Sequence, residues 1–89
     1  MRYCVYVALC EKKRLYVGQT KMWRLQRRWE EHKDPHFPTT KWTSKYQVQE
    51  KLVVFECEDL PQAKTLENDV VEALMRIYGL DCVRGGNSN

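Results

Sequence analysis

Residues 3–10 read YCVYVALC, residues 11–13 read EKK, and residues 14–18 read RLYVG. Both outer stretches alternate as strands do, with successive side chains on opposite faces. Tyr3, Val5, Val7 and Leu9 share one face; Cys4, Tyr6, Ala8 and Cys10 share the other. Glu11-Lys12-Lys13 supplies a polar turn. Placing Leu15 and Val17 beside Val5, Val7 and Leu9 requires a loop of odd length, which 11–13 provides. A one-residue slip would send that apolar pair to the wrong side. The favoured register sets Tyr6 opposite Gly18, with Tyr16 diagonal to it on the same face. The two phenols then share one pocket, and the missing side chain at Gly18 leaves room for a substrate to approach the backbone. Ordinary strand aromatics account for the same two tyrosines equally simply.

Beyond this hairpin, Thr20 is placed to cap a helix over about 21–33, with Trp23 and Trp29 as its buried anchors and Met22 and Leu25 beside them. Arg24, Arg28 and His32 recur every fourth residue and stack on one helix face. Like charges in a row repel, so a bound anion would relieve them; projection into water is the plainer alternative. Pro35 and Pro38 argue against regular structure between Asp34 and Tyr46. Lys41, Trp42, Lys45 and Tyr46 in that segment either line a nucleic-acid groove or fold back over one end of a small sheet.

Leu52-Val53-Val54-Phe55 is the strongest strand signal after residue 18. Asp59, Pro61 and Gln62 open a second helix, as a capping acid, an early proline and a glutamine three positions after the cap. Leu66, Val70, Ala73, Leu74 and Ile77 follow at helical spacing, and Gly79 closes the helix. Leu80 to Val83 reads as a short extended piece. The fold class expected is α/β in the α+β sense: a small three-stranded antiparallel sheet flanked by helices, forming one domain over residues 1–86 with a flexible tail at 87–89.

Hydrophobic content of 43% and charged content of 30% fit a soluble globular chain. No apolar run approaches the roughly 20 residues of a membrane span, and the N-terminus lacks the pattern of a signal peptide. Cys4, Cys10, Cys57 and Cys82 form no CxxC pair, which weakens a zinc reading and favours reduced, structural thiols. A cytoplasmic or otherwise intracellular location follows as an expectation. Eight basic residues and three acidic ones lie between Glu11 and Lys33; six acids and a single lysine lie between Glu56 and Glu72. That asymmetry suits a phosphate-binding surface, and an ordinary solvated surface accounts for it equally well.

In order, Val5-Tyr6, Tyr16-Val17-Gly18, Arg28-Trp29-Glu30-Glu31-His32 and Leu66-Glu67 resemble the motifs of the GIY-YIG nuclease family. Cys4 stands where the first motif has its glycine. Trp42-Thr43, Lys45-Tyr46 and Val83-Arg84-Gly85-Gly86 resemble the small single-domain members found in large DNA viruses. The family's asparagine before the closing segment is Cys82 here, and a thiol is a poor substitute for an amide in hydrogen bonding.

The resemblance implies a metal-dependent endonuclease hydrolysing phosphodiester bonds, with nucleic acid, DNA foremost, as its partner. It implies catalytic roles for Tyr6, Tyr16, Arg28, His32 and Glu67. Tyr6 would act as general base or orient the water; a phenol with a pKa of about 10 needs positive charge nearby for that task. Arg28 would supply that charge and contact the scissile phosphate, His32 would take a proton from Tyr6 or help bind phosphate, and Tyr16 would position the phosphate or a metal-bound water. Glu67 would hold one Mg²⁺ or Mn²⁺, although a solvated helix carboxylate is the simpler reading of that residue alone. Gly18, Arg24, Arg27 and Lys45 complete the expected substrate-binding set. No separate DNA-binding domain is expected in this chain. The Cys82 departure keeps a second reading open: a catalytically weakened domain that binds nucleic acid without cutting it.

Overall fold

The computed structural model describes residues 2–34, 36–37 and 41–85. Strand β1 (Tyr3–Cys10) and strand β2 (Arg14–Lys21) form the expected hairpin across the three-residue turn Glu11–Lys13. Their register pairs Tyr6 with Gly18 and Val7 with Val17, as the alternation demands. A 3-10 turn over Met22–Arg24 leads into helix α1 (Leu25–Lys33). A short helix α2 (Lys41–Lys45) precedes strand β3 (Val48–Cys57). Helix α3 (Leu60–Tyr78) is capped by the Asp59 carboxylate, which accepts from the Gln62 amide at 2.9 Å. It ends at Gly79, whose φ of 100° lies in the region that favours glycine. Strand β4 (Val83–Gly85) closes the described chain.

The sheet has four strands in the order β3-β1-β2-β4. It therefore differs from the expected three-stranded antiparallel sheet in two ways. The segment Leu80–Val83, read as a loose extended piece, instead makes a 3-10 turn over Leu80–Cys82 and then adds a strand. That strand runs parallel to β2, pairing Leu15, Tyr16 and Val17 with Val83, Arg84 and Gly85, so the sheet is mixed. Three residues carry little periodic signal, and a parallel partner is delivered only by the long crossover through α3.

The two sheet faces carry separate cores. Val5, Val7, Leu15, Val17 and Val83 pack under α3 with Cys57, Ala63 and Val71. Tyr6, Ala8, Cys10 and Tyr16 pack with Trp29 and Val48, and with Leu25, Trp42 and Tyr46 at the margin. Of the expected core stripe on α3, Leu66, Val70 and Leu74 pack inward, whereas Ala73 and Ile77 are exposed. β3 is an edge strand. Two irregularities in its pairing with β1, between Val7 and Ala8 and between Leu9 and Cys10, leave Leu52 and Gln49 without a partner across the ladder, as bulges do. Bulged edges resist pairing with other chains.

α2 occupies part of the segment expected to be irregular; Pro35 and Pro38 themselves lie outside the described residues, as does the tail at 87–89. The aromatic segment folds back over the sheet. The Trp42 indole N–H donates to the Leu15 carbonyl at 3.0 Å, and the ring packs on Tyr46 at 4.7 Å between centroids. All four cysteines are free thiols, and burial pushes Cys10 up to about 12, so that thiol is an inert hydrophobe. Among the described residues, no helix is long and apolar enough to cross a membrane.

Candidate active site

Two adjacent strands and one helix assemble the site. Alternation directs Tyr6 and Tyr16 to the α1 face of the sheet, and both are buried. From α1, Trp29 anchors the helix to that face, and His32, one turn on from Arg28, turns inward and is only 3% exposed. The rings of Tyr6, Tyr16 and His32 meet pairwise, with centroids 6.4 Å apart for the tyrosines, 5.8 Å for Tyr6 and His32, and 5.2 Å for Tyr16 and His32. The Tyr6 hydroxyl lies 2.7 Å from Nε2 of His32, and the Arg28 guanidinium is near enough to the same hydroxyl to act on its pKa.

The direction of the Tyr6–His32 bond follows from the donor inventory. Guanidinium has donors only, so Arg28 cannot accept the Tyr6 hydrogen. That hydrogen goes to Nε2, which leaves the imidazole proton on Nδ1. The electrostatics agree. Burial, and then the positive charge of Arg28, lowers His32 to about 4, so the imidazole is neutral at physiological pH and able to accept. Burial and the neighbouring Tyr16 push the Tyr6 phenol far above its ordinary value, against a smaller lowering by Arg28. Tyr6 is therefore a protonated donor near neutrality. The expected row of three stacked positive charges does not exist: His32 sheds its charge by burial, and Arg24 precedes the helix as its N-cap. Arg28 also pairs with Glu31 at 3.6 Å.

Gly18 seats the Tyr6 ring. A Cβ built there would lie 2.5 Å from both Cζ and Oη of Tyr6 and 2.9 Å from Cε2 of Tyr16. The space left by the missing side chain is the seat of the Tyr6 phenol.

Glu67 stands on α3, against the other face of the sheet. It is half-buried and lies one turn from each of two buried residues, Ala63 and Val71. Glu72 and Asp69 are exposed, as their helical positions predict. The contacts described above join Tyr6, Tyr16, Arg28 and His32 to one another; Glu67 belongs to the opposite layer. The two layers communicate where β2 outruns β4. Gly85 pairs with Val17, so among the described residues no strand covers the edge of β2 opposite β1 from Gly18 to Lys21. A cleft of about 300 Å³ wraps this open end, lined by Gln19, Thr20 and Lys21 of β2, Arg24, Arg28 and Tyr3, and Leu60 of α3. Glu67 is two turns along the same helix from Leu60.

Of the remaining expected substrate contacts, Arg27 is exposed and pairs with Glu31 at 3.6 Å. Lys45 is exposed on α2, its ammonium 5.4 Å from the centre of the Tyr46 ring. Arg24 is exposed at the cleft. Sequence reasoning missed Lys21 as a cleft residue and misassigned Trp23, which is 68% exposed and no anchor. The helix begins at Leu25, not Lys21, and a bond from the Met22 amide to the Arg2 carbonyl at 3.0 Å ties the preceding turn to the residue before β1. Among the described residues, no group of three or more His, Cys, Asp or Glu could hold a metal. Glu67 offers one half-buried carboxylate on α3, and a hard cation can be bound through one carboxylate with water and phosphate.

The family model described as the GIY-YIG catalytic domain matches residues 2–76. No curated protein and no solved structure matches the chain.

Proposed function

The chain belongs to the GIY-YIG family, and from that premise we propose that it is a metal-dependent endonuclease that hydrolyses phosphodiester bonds in DNA. The observation that carries the reading is the Tyr6–His32 bond with Arg28 beside it. In it, a buried hydroxyl near a fixed cation is bonded to a neutral imidazole. Hydrolysis needs a water to lose a proton as it attacks phosphorus, and the leaving oxygen to be neutralised. With its pKa raised, Tyr6 stays protonated near neutrality and offers no phenolate as a base in isolation. It gains basicity by passing its own hydrogen to Nε2 of His32 as it takes one from the attacking water. The imidazolium so formed is repelled by Arg28, so its proton returns to Tyr6, which passes one on to solvent once the bond is broken. Arg28, half-buried at the wall of the cleft, is placed to neutralise charge growing on the phosphate. Tyr16 packs against both Tyr6 and His32 and orients them.

Glu67 is the residue that would hold Mg²⁺ or Mn²⁺. When bound, such an ion supplies electrostatic stabilisation of the phosphate and of the departing oxygen.

The competing reading is a nucleic-acid-binding domain with weakened catalysis. It draws on Cys82, which stands at the family's asparagine position and is contacted by the Arg14 guanidinium, Nη1 to Sγ 3.8 Å. Incubation of the purified protein with supercoiled plasmid, branched DNA and RNA, with and without Mg²⁺ or Mn²⁺, separates the two. Nicking or linearisation that requires the cation supports the nuclease. Salt-dependent binding with intact substrate after long incubation overturns it in favour of the binding module.

A further inference from the structure

The chain's three tryptophans have three different environments. Trp29 is 9% exposed and anchors α1. Trp42 is half-buried and bonded to the Leu15 carbonyl. Trp23 is 68% exposed, has no part in either core, and sits on a turn whose backbone is tied to Arg2. Two cations flank its ring, Lys21 Nζ at 6.0 Å and Arg24 Cζ at 5.9 Å from the centroid. Both also line the cleft that Arg28 enters, and no acidic side chain lines it.

We propose that Trp23 is a stacking platform for a nucleobase that lies outside a duplex, so that the enzyme's substrate is DNA with an unpaired nucleotide next to the bond it cuts: a flap, bulge, junction or single strand. The inference rests on the nuclease reading above and narrows its substrate class. Its physical basis is that an indole face stacks on any base, whereas the bases of a continuous duplex have no free face to offer. The flanking cations serve two ends at once. They hold the ring by cation–π attraction, and they place positive charge where the backbone of the splayed nucleotide must run to bring its phosphate to Arg28. The turn that carries Trp23 is tied by the Met22 amide to the Arg2 carbonyl and Arg24 lies beside the ring, which lowers the ordering cost of binding.

The test is fluorescence anisotropy of labelled oligonucleotides in EDTA, comparing a perfect duplex, the same duplex with a flap, and a single strand. Wild type, Trp23→Ala and Trp23→Phe are measured at two salt concentrations. The expected result is a fall of about tenfold in the ratio of flap to duplex affinity for Trp23→Ala, with Trp23→Phe retaining most of the wild-type ratio. A ratio that is the same in all three proteins overturns the inference while leaving the nuclease reading intact, provided duplex binding is salt-dependent. Binding of none of the three oligonucleotides by the wild type overturns both. Equal circular dichroism and melting of the variants show that a lost ratio is not lost folding.

Discussion

The Tyr6 hydroxyl and His32 Nε2 stand 2.7 Å apart across the interface between the first strand and the first helix. Neither group owes this meeting to its sequence neighbours. Burial keeps the imidazole neutral and the phenol protonated, so the pair is a donor and acceptor poised to move one proton.

Removing the hydroxyl alone tests that pair. Tyr6→Phe keeps the ring on Gly18 and is expected to lower the cleavage rate on the order of 10²-fold or more, with little change in DNA affinity. Arg28→Ala is expected to weaken both, because it removes a phosphate contact as well as the positive charge beside Tyr6. Single-turnover cleavage and anisotropy separate the two effects. Normal cutting by Tyr6→Phe would reduce Tyr6 to a structural aromatic.

His32 makes stability depend on acidity in a definite window. Its folded value, about 4, is below the ordinary value of 6.5, so between those limits the unfolded chain binds more protons than the folded one. The sign is therefore that stability is full above about pH 6.5 and is lost as pH falls towards 4, by on the order of 3 kcal/mol at most. His32→Gln is expected to flatten the melting temperature across that window. Cleavage by the wild type is expected to persist down to about pH 5, where a solvent-exposed histidine would already be charged; a rate that titrates near 6.5 would contradict a neutral buried imidazole.

Gly18→Ala places a methyl group where the Tyr6 Cζ and Oη already are, 2.5 Å away. One of them must move. The expected outcome is a loss of 1–3 kcal/mol in stability, an order of magnitude typical of overpacking, together with a loss of cleavage as large as that of Tyr6→Phe. Urea melts and plasmid nicking measure both. An unperturbed Gly18→Ala protein would mean that Tyr6 does not rest on this strand.

Glu67→Ala is expected to abolish cation-stimulated cleavage while the protein stays folded, since a half-exposed carboxylate contributes little to the core. Wild-type cutting by a folded Glu67→Ala protein would remove Glu67 as the cation's ligand.

Much of this molecule is local and therefore legible in the chain. The period-two alternation of residues 3–18 and the three-residue turn dictate the hairpin register, and with it the pairing of Tyr6 with Gly18 and the shared face of Tyr6 and Tyr16. Asp59 and Gln62 start α3 and Gly79 stops it through bonds to nearby backbone, and Pro61 fixes φ in the first turn. What the tertiary structure alone decided depends on distant partners. β4 is three residues long and exists because α3 returns the chain beside β2. Trp23 shares the apolar pattern of the helix behind it, yet faces solvent on a turn tied by the Met22 amide to Arg2. His32 looks from its spacing like one more cation beside Arg28. Its charge is set by desolvation against β1 and β2, an effect of surroundings that come from elsewhere in the chain, and no spacing along α1 encodes it.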